Sequence, residues 1–99
     1  MYARVTTLEV SPDRMDDATR FTQEQVLPQL QQMDGFKGFI ALADRGSGKL
    51  RGVALWESED ALRATDEAAA RIRSGVAEAT GGTVASVENN EVVVFEVSN

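Results

Sequence analysis

Ninety-nine residues allow one domain, spanning 1–99, whose core buries roughly 60–70% of the surface that the unfolded chain exposes. Ten Lys and Arg against sixteen Asp and Glu leave a net charge of −6, which opposes a phosphate backbone and an anionic bilayer, so neither nucleic acid nor membrane is an expected partner. The chain has no Cys and no His, which excludes disulfides and thiolate chemistry and removes the commonest metal ligand and general base, so no metal and no cofactor are expected.

The opening MYARVTTLEV lacks the apolar core of a signal peptide, and no stretch approaches the roughly 20 apolar residues of a membrane helix. The expectation is a cytoplasmic protein. Tyr2 to Val10 alternates and is rich in Val and Thr, as a strand should be. It carries Tyr2, Arg4, Thr6, Leu8 and Val10 on one face and Ala3, Val5, Thr7 and Glu9 on the other. Ser11-Pro12-Asp13 reads as a helix start with Ser at the cap and Pro at the first helical position. The helix is predicted to run to about Met33, with Pro28 kinking it or ending a regular segment near Val26. Asp34-Gly35 closes it.

Phe36 to Ala43 reads as the second strand, with Phe36, Gly38, Ile40 and Leu42 facing one way and Lys37, Phe39, Ala41 and Ala43 the other. The following DRGSGK, Asp44 to Lys49, is a hairpin loop; a phosphate cradle would need a helix directly after it, and a strand follows instead. Leu50 to Glu57 is the third strand. Gly52, Ala54 and Trp56 share one of its faces, two tiny residues beside one large ring. Ser58, Glu59 and Asp60 start the second helix, which is predicted to run to Ala79 and stop at Gly81-Gly82. Its arginines Arg71 and Arg73 are assigned to a solvated face. Val84 to Val97 reads as the last strand region, interrupted by a bulge or bend at Glu88 to Glu91, and the run EVVVFEV is apolar on both faces.

The order is β-α-β-β-α-β, the split βαβ or ferredoxin-like pattern. The class is α+β: a four-stranded antiparallel sheet with two helices on one face. The other face, read as Ala3, Val5, Thr7, Phe39, Ala41, Val53, Leu55 and part of the final Val/Phe run, is too apolar to stand bare. A homodimer with sheets packed face to face is therefore expected.

LPQLQQMDGFKGF (Leu27 to Phe39), the glycine hairpin and LWESEDAL (Leu55 to Leu62), with its W-x-S-x-x-A strand-to-helix signature, resemble the antibiotic biosynthesis monooxygenase-like domains of the dimeric α/β barrel superfamily across essentially the whole chain. That resemblance implies a ligand pocket between sheet and helices, and relatives that include cofactor-free oxygenases of anthrone-type polyketides and haem-degrading enzymes. Trp56 matches the pocket tryptophan of the anthrone oxygenases, but their pocket asparagine falls on Gly52 and their helix tyrosine on Leu62. The haem ligand of the haem-degrading relatives falls near Gly75, and their strand-one asparagine near Thr6.

Trp56 either fills space over Gly52 or lines a pocket. Arg4 is either an edge charge or, if it points inward, the group best suited to a phenolate or other anionic oxygen. The candidate pocket is floored by Gly52, Ala54 and Trp56 with Thr6 and Arg4 from the first strand; Leu62, Phe21, Leu30 and Ile72 either line it or fill it. The functional expectation is a cofactor-independent monooxygenase-like protein acting on or binding a small aromatic or polyketide-like molecule. The alternative is a non-catalytic dimeric ligand-binding or assembly module of the same fold.

Overall fold

β1 (Tyr2–Glu9) is the inner strand on which the structure is assembled. The structure, a computed structural model, describes residues 1–98. β1 pairs antiparallel on one side with β3 (Lys49–Trp56) and on the other with β4 (Thr83–Glu91), and β2 (Phe36–Asp44) adds to β3, giving the order β2-β3-β1-β4. Arg4 lies opposite Ala54, and Thr6 opposite Gly52, so these four residues share the face that the helices cover.

The first helical arm is built in pieces. Pro12–Arg14 forms a 3-10 turn, α1 spans Met15–Phe21, Thr22–Val26 winds as a π-helical turn, and α2 spans Leu27–Gln31. Ser11 makes no side-chain cap; its carbonyl accepts from the Arg14 N–H at 2.8 Å instead. Pro28 has no N–H to donate and its ring crowds the preceding turn, and the wide π turn ends just ahead of it. Met15 and Ala18 on α1 are fully buried against Val10 and Leu50.

A register shift between Phe36 and Gly38 changes the parity of β2. Phe39 and Ala41 pair with Ala54 and Gly52 and face the helices, while Ile40 and Leu42 pair with Val53 and Arg51 on the outer face. The strict alternation read from the sequence put Phe39 and Ala41 outside; the extra residue of the bulge reverses that. In the β2–β3 hairpin, the Asp44 carboxylate accepts from the N–H groups of Gly46 and Ser47 at 3.1 and 3.3 Å. These bonds hold its carboxyl below the usual range.

The second helix is two helices, α3 (Glu59–Ala64) and α4 (Asp66–Thr80), broken at Thr65. Ser58 caps α3 by accepting from the Ala61 N–H at 3.1 Å. The continuous helix expected here yields because the Thr65 hydroxyl bonds back to the Leu62 carbonyl at 2.7 Å. β4 runs straight through Glu88–Glu91, which pair with Val5, Arg4, Ala3 and Tyr2. The sequence reading placed an interruption there and a strand after it. The ladder instead closes where β1 begins: Val92 donates to the Met1 carbonyl at 2.9 Å, and residues 93–98 lie in no strand. Val93 and Val94 are each 81% exposed.

Between helices and sheet sits a core of Leu8, Val26, Leu30, Ala54, Trp56, Leu62 and Val76. Gly48 and Gly81 both take positive φ, +76° and +69°, but in different surroundings. A Cβ on Gly48 would stand 2.2 Å from the Val10 carbonyl oxygen, whereas one on Gly81 would meet nothing within 4 Å. Gly81→Ala should cost only the left-handed penalty, about 1–2 kcal/mol. Gly48→Ala must also displace β1 from the hairpin and should cost more. Urea unfolding of the two variants, compared at equal m-value, measures the difference.

Candidate functional site

Arg4 occupies an inward position on β1 and is almost fully buried, its side chain 6% exposed. Its guanidinium donates at 3.0 Å to the Thr65 hydroxyl, at 3.0 Å to the Leu62 carbonyl, and to the Asp66 carboxylate. Burial pushes the Arg4 guanidinium down from its ordinary value, the neighbouring Asp66 pushes it back up, and Arg73 pushes it down again. Arg4 is thus neither an edge charge nor a free pocket cation. It is tied to the α3–α4 break and presents one side to a cavity.

That cavity, about 80 Å³, lies between the sheet and the helices. Its floor is Thr6, Gly52 and Ala54, with Phe39 from β2; its roof comes from Val26 and Leu30 on one arm and Ile72, Arg73 and Val76 on α4. The lining is overwhelmingly apolar. A Cβ on Gly52 would stand 3.2 Å from the Phe39 ring, so the ring already leans over the glycine and narrows the space. A second space of about 390 Å³ runs between the two helical arms, bordered by Phe21, Gln29, Met33, Ala68, Arg71 and Gly75. Val26 and Ile72 border both spaces and form the partition between them. The inner cavity alone falls short of the roughly 300 Å³ at which drug-sized sites begin; the groove beside it reaches that size.

Of the residues singled out by sequence, Arg4, Thr6, Leu30, Gly52, Ala54 and Ile72 border the cavity, and Phe21 and Ile72 border the groove. Trp56 and Leu62 face neither. Trp56 is fully buried, with its ring edge-on to Phe36 at 5.6 Å, and its indole N–H has no partner among the described residues. Leu62 is core. Several cavity residues lay outside the sequence reading of the pocket, Phe39, Thr22 and Arg73 among them. Phe39 is turned inward by the bulge, and Thr22 opens the π turn. Arg73, read as solvated, lines the cavity; its spacing from Ala69 and Val76 along α4, four and three residues, was the available signal.

Among the described residues no cluster of metal-ligating side chains occurs, and no helix is long and apolar enough to cross a membrane. No protein-family model matches the chain. The uncharacterised protein Rv2557 of Mycobacterium tuberculosis is 38% identical over 95 residues, covering 96% of this chain and 42% of the relative. The chain therefore spans well under half the length of the curated relatives it matches. Among solved structures, the haem-degrader MhuD of M. tuberculosis, with two haems in its active site, is similar at a TM-score of 0.73 and 24% identity, covering 98% of this chain and all of MhuD. The monooxygenase ActVA-Orf6 of Streptomyces coelicolor, in complex with nanaomycin D, is similar at a TM-score of 0.69 and 18% identity, covering 97% of this chain and 92% of that one. The chain has the ferredoxin-like fold of the antibiotic biosynthesis monooxygenases.

Haem, held on this fold by MhuD, does not suit the residues present. No imidazole or thiolate exists in the chain. Gly75, near which the resemblance places the iron ligand, has no side chain, and a Cβ built there meets nothing within 4 Å. The inner cavity is also far too small for a porphyrin. Titration with haemin should give no stoichiometric histidine-type Soret band; a one-to-one complex with that spectrum would overturn this reading.

Proposed function

We propose that the protein binds a small aromatic or polyketide-like molecule between its sheet and helices, in the manner of a cofactor-independent oxygenase. The observation that carries the proposal is the apolar cavity over Gly52 and Ala54, continuous in its walls with the larger inter-helical groove through Val26 and Ile72. A ring seated over the two small residues and against Phe39 would be stripped of water on both faces. An anthrone in such a site supplies its own reactive centre. Loss of a methylene proton gives a ring-stabilised carbanion, which reacts with dioxygen; one oxygen atom becomes the new carbonyl and the other leaves as water with the two methylene hydrogens. The site's contribution is a dry apolar seat and positive charge from Arg73 beside the developing anion.

The non-catalytic reading is favoured by a specific observation. Gly52 and the buried Leu62 stand where the resemblance places polar pocket residues, and among the described residues no carboxylate or imidazole borders the cavity to take the proton. Two measurements divide the outcomes. The neutral probe 2-naphthol should perturb Trp56 fluorescence on binding, and Gly52→Leu, which forces the Phe39 ring into the cavity, should weaken that binding at least tenfold; wild-type affinity in the variant would remove the cavity as the site. Dithranol, an anthrone, should then consume oxygen faster with protein than without it if the protein is an oxygenase. Binding with no faster consumption assigns the non-catalytic module.

The working unit we propose is a homodimer joined through the outer sheet faces. Ile40 and Leu42 are 44% and 50% exposed there, beside Val5 and Val53. An interface of this kind is expected to exceed about 2,000 Å² in total. Val53→Asp would bury an unpaired carboxylate in it and should yield monomers by sedimentation velocity; a wild-type chain sedimenting as a monomer at micromolar concentration would end the proposal. The protein is expected to act in the cytoplasm.

A further inference from the structure

We infer that the ligand of this cavity is an acid, an aromatic or otherwise apolar body carrying a carboxylate or an equally acidic oxygen, and that Arg73 is the side chain that reads it. This deepens the proposed ligand-binding reading and rests on it.

Charge is distributed around the site against the trend of the chain. Sixteen Asp and Glu outnumber ten Lys and Arg overall, yet among the described residues no Asp or Glu borders the cavity or the groove, whereas Arg4, Arg51, Arg71 and Arg73 do. Arg51 contributes little to the interior, because its register opposite Thr7 and Leu42 sets its side chain on the outer face. Arg71 is exposed on the groove. Arg4 is neutralised by Asp66. Arg73 remains: half-buried, lining the cavity, repelling Arg4, and joined to no carboxylate among the described residues.

Its position adds to its charge. Ala69, Ile72, Arg73 and Val76 all border the cavity from α4, so the arginine interrupts an otherwise apolar stripe. The other ion-paired arginines, Arg14, Arg20, Arg45 and Arg63, are 43% exposed or more and bond to acidic partners. An arginine on a core-facing stripe, beside a second buried guanidinium and without a counter-ion, costs desolvation and repulsion with no internal return. An anionic ligand supplies the missing charge, and in a low-dielectric wall the planar fork of the guanidinium holds it at two points. The apolar lining then receives the rest of the molecule.

The probes are 1-naphthoate and 1-naphthamide, nearly equal in shape but one anionic and the other neutral, titrated against the intact chain with Trp56 fluorescence and calorimetry as readouts. Naphthoate should bind at least tenfold more tightly than the amide at low salt, and its affinity should fall as salt rises. Arg73→Gln should erase the preference by weakening naphthoate while leaving the amide unchanged, and Arg73→Lys should restore part of it. Arg73→Leu, which completes the apolar stripe, should unfold at a higher temperature than wild type and still lose the preference, a pairing of effects that a merely structural arginine would not produce. If the amide binds as well as the acid, or Arg73→Gln weakens both equally, the inference falls while the cavity reading stands. If neither probe binds and the neutral 2-naphthol also fails, the cavity reading itself is overturned, and this inference with it.

Discussion

The three-way bond of Arg4 to Leu62, Thr65 and Asp66 fixes the helical layer on the sheet. Hydrogen bonds from a charged donor contribute about 1.5–3 kcal/mol each, and taking a guanidinium out of water costs several kcal/mol. Those terms nearly cancel, the more so because the Asp66 side chain is 61% exposed and its attraction is screened. What the contact yields is position. It seizes the helical layer where α3 ends and α4 begins, so α4 leaves that point with Ala69, Ile72, Arg73 and Val76 turned toward the interior. The cavity lies beside that pin, over Thr6, Gly52 and Ala54, residues too small to fill the space beneath α4.

Two backbone irregularities give the cavity its walls. The bulge at the start of β2 turns Phe39 inward over Gly52 and releases Ile40 and Leu42 to the outer face. The π turn before Pro28 places Thr22 and Val26 on the opposite wall, both buried. Irregular turns of this kind recur at functional sites because they re-aim side chains that regular geometry would send elsewhere. A regular strand and a regular helix with these residues would bury Ile40 and Leu42 beneath the helices and leave the sheet's outer face to Phe39 and Ala41.

The same irregularities mark what the sequence conceals. Element order, the Ser58 cap, the glycine hairpin and the inward face of Arg4, Thr6, Gly52 and Ala54 all follow from period and turn chemistry, and they match the structure. Phe39 was misplaced because a bulge shifts parity without leaving a mark in composition. The Glu88–Glu91 segment was misjudged because four polar residues look like a turn, whereas their place on an edge strand lets their side chains reach water while the backbone pairs with β1. Trp56 shows the limit of a strand pattern: it shares a face with Gly52 and Ala54, but it stands at the end of the strand against Phe36, beyond the cavity. Arg73 was legible in principle from its spacing to Ala69 and Val76, and its charge argued too strongly for solvent.

The apolar run that follows β4 has a consequence for how the chain behaves before it finds its place. Val92 to Phe95 is an unbroken β-branched and aromatic segment, and Val93 and Val94 are almost bare. Extended segments of this composition are templates for cross-β association. Glu91 and Glu96 bracket it, one carboxylate on each side, and act as gatekeepers through mutual repulsion between copies. The chain thus carries its own guard against self-association at the point where the sheet ladder ends.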